Sequence, residues 1–124
     1  GSGQVPKGWW EVRCLQVEHV GPYRVDIVQQ DSGSCSVAIT ESRPGIGARV
    51  ARCSHLEHTR TEAEALFPHY VRQARLLRVA SLAEALAEAL RVSESVGTPE
   101  SLRTLAALDD EYQAAVAATK GEGE

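Results

Sequence analysis

The chain has 124 residues, of which 43% are hydrophobic and 24% charged, and a formal net charge of −4. That length suits one domain, on a prior of roughly 100 to 200 residues each, and the composition is that of an ordinary folded protein, which argues against disorder. No apolar run approaches the ~20 residues that cross a bilayer, so no membrane partner is expected. Three cysteines, Cys14, Cys35 and Cys53, with no Cys-x-x-Cys among them, argue against a disulfide framework and favour reduced thiols in the cytoplasm.

The net charge hides a segregation. Residues 1–42 carry three bases and five acids, residues 43–78 seven arginines and three glutamates, and residues 79–124 three bases and nine acids. A basic middle between acidic flanks is either a field aimed at an anionic partner or a patch neutralised by acidic helices folded over it. Eleven arginines against two lysines, with abundant alanine, also fit the coding bias of a GC-rich bacterial genome.

Residues 1–8 read as a tag remnant and leader, residues 9–120 as a single domain, and residues 121–124 as a frayed acidic tail. From Trp9 the pattern is strand-like: Trp10, Val12 and Cys14 alternate with Glu11 and Arg13, then the apolar set slips by one to Leu15 and Val17. Such a slip points to a β-bulge. After Gly21-Pro22, a second strand sets Tyr23, Val25 and Ile27 on one face and Arg24 and Asp26 on the other. Asp31-Ser32-Gly33 suits a tight turn. Cys35, Val37 and Ile39 mark a third strand, and Ala48 to about Leu56 a fourth. Short connections favour an antiparallel meander, since parallel pairing needs long crossovers.

Three helices are expected to follow. Thr61 with Glu64 has the form of a capping box, starting the first helix at Glu62; Ala63, Leu66, Phe67, Tyr70, Val71, Ala74 and Leu77 recur at helical spacing. Pro68 is expected to kink or interrupt it. Ser81 with Glu84 suggests a second box and a second helix, ended by Gly97. Thr98-Pro99 opens a third, with Leu102, Leu105, Leu108, Tyr112, Ala115 and Val116 along one side. The expected class is α+β: a four-stranded meander followed by three helices, the last two forming a hairpin.

Cys53, His55 and His58 make a Cys-x-His-x-x-His pattern of zinc-type ligands. On a strand, Cys53 and His55 point one way and His58 the other, so no metal site or cofactor is expected. The cysteines share apolar strand phases, Cys14 with Val12, Cys35 with Val37 and Cys53 with Ala51, which favours core packing over nucleophilic chemistry. Gly45-x-Gly47 lacks the lysine and the parallel-strand context of a phosphate loop. Asp109-Asp110-Glu111 reads as a solvated or partner-facing acidic patch.

The arginines are the stronger lead. Arg43, Arg49, Arg52 and Arg60 lie on or near the fourth strand, and Arg72, Arg75 and Arg78 recur every three residues on the first helix. They form the expected surface for a protein partner or an anion, with nucleic acid as the alternative reading and a metal or thiol function at Cys53, His55 and His58 as a further one. No convergent acid, base and nucleophile set can be read, so a non-enzymatic adaptor, inhibitor or accessory factor is expected. Trp9, Leu86, Leu90, Leu105 and Tyr112 are the expected interface residues of a homodimer formed through the C-terminal helices, whose apolar stripes exceed what covering the sheet requires.

Overall fold

The computed structural model describes residues 12–54 and 58–120. The elements in chain order are β1 (Val12–Val20), β2 (Tyr23–Gln30), β3 (Cys35–Arg43), β4 (Gly47–Cys53), α1 (Arg60–Ser95) and α2 (Pro99–Lys120). The strands form one antiparallel sheet in the order β1-β2-β3-β4. The α+β class, the meander and the helical hairpin are therefore present, but among the described residues the helices number two rather than three.

The chain divides into two compact units, Gly1–Ala74 and Arg75–Glu124. In the first, Val25, Ile27, Val37 and Ile39 are fully buried on one sheet face, where they cluster with Ala63, Phe67, Tyr70, Val71 and Ala74 of α1. The turn between β2 and β3 closes as its residues suggest, with the Gly33 amide donating to the Gln30 carbonyl at 2.8 Å.

Each edge strand carries an irregularity. In β1, Cys14 faces Val28 and Gln16 faces Ile27, which leaves Leu15 as the extra residue, packed against the core. This is the bulge that the slipped apolar phase predicts. In β4, Arg52 faces Ile39 and Val50 faces Thr40, so Ala51 is the extra residue. Strict alternation would put Arg49, Ala51 and Cys53 on one face. The bulge instead puts Arg49 and Arg52 together on the inner face, toward α1, and turns Cys53 to the outer face opposite Ala38.

Two helix boundaries differ from expectation for identifiable reasons. The sequence holds two overlapping Thr-x-x-Glu boxes, and the chain uses the earlier one. The Thr59 amide donates to Glu62 Oε1 at 2.9 Å, and the Glu62 amide donates to Thr59 Oγ1 at 3.2 Å. Two otherwise orphaned donors are thus satisfied reciprocally, and α1 begins at Arg60. At Ser81 no new helix starts, because nothing between Arg72 and Ser81 stops the first: the run holds no glycine or proline.

Pro68 lies inside α1 without ending it. An interior proline costs about 3 kcal/mol through the missing hydrogen bond and the crowded carbonyl. Here the ring is on the exposed side, while Phe67, Tyr70 and Val71 on either side of it are buried. Those anchors offset the cost.

In the second unit, α1 ends where expected. Gly97 takes a φ of 67°, the left-handed conformation that favours glycine. Thr98 caps α2, its Oγ1 accepting from the Ser101 amide at 3.1 Å, with Pro99 in the first turn. So short a connection makes the two helices antiparallel neighbours. Their half-buried positions alternate in steps of four and three: Arg75, Val79, Leu82, Leu86, Ala89 and Ser93 on α1, and Ser101, Leu105, Leu108, Tyr112 and Thr119, with buried Ala115, on α2. That is the seam of a two-helix coiled coil.

The two threonines offer a direct check on the start of α1. Thr59→Ala is expected to lower the unfolding free energy by about 1 kcal/mol, and Thr61→Ala by less than about 0.5 kcal/mol, in urea denaturation followed by circular dichroism.

Candidate functional site

Arg43, Arg49, Arg52 and Arg60 meet acids or a ring of their own unit. Glu41 is buried at the end of the inner face, its side chain 8% exposed. Arg43 Nε lies 3.1 Å from its Oε2, and Arg49 Nε lies 3.7 Å from its Oε1. The two arginines reach it from β3 and β4, because Arg43 is two residues along the same strand and Arg49 is the cross-strand partner of Glu41. One carboxylate thus orients two guanidinium groups, which are themselves half-exposed or more. Arg52 stands over the Tyr70 ring, 6.0 Å from its centroid, at the outer limit of a cation–π contact. Arg60 pairs with Glu64 at 3.1 Å one turn along α1.

Arg72 falls in the first unit, and Arg75 and Arg78 in the second, all three on α1. Arg72 is exposed, whereas Arg75 and Arg78 are half-buried. The structure therefore gathers Arg43 and Arg49 around one acid, and places Arg52 on the same sheet face.

The Cys-x-His-x-x-His pattern lies partly outside the described residues, which do not include His55. Cys53 is on the outer sheet face, its thiol donating to the Ser54 carbonyl at 3.3 Å. His58 joins the start of β3 instead: its amide and carbonyl bond the carbonyl and amide of Cys35 at 3.0 and 2.8 Å. Its Nδ1 lies 3.8 Å from Glu62 Oε1. Among the described residues, no three His, Cys, Asp or Glu side chains are grouped to hold a metal ion.

The core expectation for the cysteines holds for Cys35, which is buried, and fails for the other two. Cys14 is exposed because Leu15 takes the inward place at the β1 bulge, and Cys53 is half-buried because the Ala51 bulge turns it outward.

On the outer face Asp26 is nearly buried, flanked in register by Val17 and Ala38, with Arg24 Nε 3.1 Å from its Oδ2. Burial pushes its carboxyl above the ordinary aspartate value, and the Arg24 guanidinium opposes that rise only in part. Strand alternation marks Asp26 as an outward polar residue, and nothing in the sequence signals that it is covered.

In the second unit the expected interface residues separate. Leu86, Leu105 and Tyr112 sit in the seam between the helices and are half-buried there, whereas Leu90 is 48% exposed. Trp9 lies outside the described residues. One residue forward from each seam position is about 100° around the helix, and in an antiparallel pair that step leads to the same side on both helices. On α1 it gives Leu76, Ala80, Ala83, Ala87, Leu90 and Glu94, and on α2 Leu102, Ala106, Asp109, Gln113, Val116 and Lys120. Leu76 is 54% and Leu102 52% exposed. The opposite side carries a shallow apolar groove of about 350 Å³ lined by Ala85, Glu88, Ala89, Val92, Ser101, Thr104 and Leu108. The four alanine and leucine positions from Leu76 to Ala87 escaped the sequence reading. Counting steps of four and three, instead of one broad stripe per helix, reveals them.

No protein-family model matches the chain, and neither a curated protein nor a solved structure resembles it closely enough to count as a match.

Asp26 sets a pH dependence whose sign is fixed. Its folded-state pKa is raised, so the native state disfavours the ionised carboxylate; the cost is present above that pKa and disappears as pH falls through it. Half-exposed Arg24 can be resolvated when its partner goes. Asp26→Asn is therefore expected to raise the melting temperature at pH 7, with the gain over wild type narrowing as pH is lowered toward 4, as read by thermal unfolding at a series of pH values.

Proposed function

We propose that this chain is a small non-enzymatic interaction protein that works by presenting surface to a protein partner. The observation that carries the reading is in the second unit. Among its described residues Ala115 alone is buried, and Leu76, Leu90 and Leu102 remain about half-exposed on one side of the hairpin after the seam has taken its share. A two-helix layer cannot cover both its flanks, and an exposed apolar stripe of this kind marks a contact surface.

The arginines of the first unit support a second, polar contact. Glu41 holds Arg43 and Arg49 in a fixed orientation while leaving both accessible. Preorganised guanidinium groups suit bidentate recognition of a partner's carboxylates. A nucleic-acid backbone would have to compete with Glu41 and Glu64 for the same groups, within a chain of net charge −4. That weighs toward protein.

Two measurements test the reading. Tagged wild-type chain and a Leu90→Lys variant are used to capture proteins from cell extract, with a second, differently tagged copy of the chain included. Recovery of either kind of partner by wild type, reduced at least about tenfold by the variant, supports it, since a hot-spot side chain contributes more than about 1.4 kcal/mol. Equal recovery by both, or none by either, overturns it. Titration of labelled DNA and RNA at two salt concentrations is expected to show no salt-sensitive binding, and a steep salt dependence would move the assignment to nucleic acid.

A further inference from the structure

Resting on that reading, we infer that the partner of the hairpin's exposed stripe is a second copy of this chain, the two hairpins packing face to face as a four-helix bundle. The stripe on α1 reads Leu76, Ala80, Ala83, Ala87, Leu90 and Glu94, and its apolar part has leucine at each end and alanine between. Turned end over end it offers nearly the same outline. In a two-fold contact the same patch serves both sides, so Leu76 of one copy would meet Leu90 of the other while the central alanines oppose one another. The central alanines let two α1 helices approach closely, while the end leucines close the contact.

Polar residues fix where the centre lies. On α2 the stripe is interrupted in its middle by Asp109 and Gln113, both exposed, whereas on α1 the charge, Glu94, falls past the second leucine, at the end of the stripe. Burying an unpaired carboxylate is costly, so α1 takes the centre against its twin and α2 forms the wetter rim.

The area discriminates between kinds of occupant. With 22 residues in α2, the face is about 33 Å long at ~1.5 Å per residue, and two helices about 9 Å apart make it about 20 Å wide. Covering it removes about 600 Å² from each partner, or about 1,200 Å² in all, which reaches the lower end of stable interfaces. A single peptide helix would cover about half of that and fall short. A second hairpin matches the whole face. The opposite groove, shallow and interrupted by Glu88, offers less to such a partner.

The test uses the purified full chain in size-exclusion chromatography with light scattering, from about 1 to 100 μM. Wild type is expected at twice the 13.4 kDa chain mass. Ala83→Lys puts a charge at the centre of the proposed contact and Ala107→Lys puts one on the other side of the hairpin. Both sites are exposed, and lysine is a good helix former, so neither change disturbs folding of one chain. Ala83→Lys is expected to weaken association at least about 100-fold, as burying an unpaired charge requires, and Ala107→Lys to leave it unchanged. A monomer at every concentration, or equal weakening by both variants, overturns the homotypic contact. Should wild type be monomeric while a stripe-dependent partner is still captured from extract, the self-association falls and the interaction reading stands; if capture fails as well, both fall.

Discussion

The first unit depends on one contact: Phe67, Tyr70, Val71 and Ala74 of α1 set against Val25, Ile27, Val37 and Ile39 of the sheet. A four-stranded meander needs a cover on its apolar face, and each large side chain buried there contributes about 1.5–3 kcal/mol. The same contact explains why Pro68 is tolerated. Its cost is local, and buried residues immediately before and after it hold the helical path. The capping box at Thr59 and Glu62 then fixes where that helix begins, directly after the chain has made a bridge to Cys35 through His58.

Much of this was legible in the residues. Period-two alternation placed β2 and β3, the slipped phase at Leu15 announced its bulge, and Gly97-Thr98-Pro99 marked the hairpin turn. What failed had specific causes. Ser81 and Glu84 have the chemistry of a cap but no preceding stop signal, and a cap without a break is only two surface side chains. The cap expected at Thr61 forms at Thr59 instead, because both threonines fit the same pattern and only the chain path arriving from His58 decides between them. The Ala51 bulge left no trace in the alternation, since Ala51 and Cys53 are both small enough for either face. That one extra residue reassigned Arg49, Arg52 and Cys53 together.

The charge map is reinterpreted in the same way. Arg43, Arg49 and Arg60 find acids within their own unit, Glu41 and Glu64, rather than in the acidic helices that follow. Sequence counting over wide windows could not see this, because cross-strand and one-turn neighbours are set by register and helical pitch. Arg43, Arg49 and Arg60 are therefore locally paired while their guanidinium groups stay accessible. In the second unit Asp109 accepts from Gln113 one turn along α2. Arg91, also in the second unit, pairs with Glu88 along α1.

Both bulges lie on the outermost strands, Leu15 in β1 and Ala51 in β4. An outermost strand exposes unpaired amides and carbonyls that can recruit the strand of another molecule, and from there a growing fibril. Each extra residue breaks the regular spacing that such recruitment needs, and on β4 the charged groups of Arg49 and Arg52 flank the break. The sheet is thereby held to four strands, because neither edge offers a regular row of amides and carbonyls for the strand of another molecule to join.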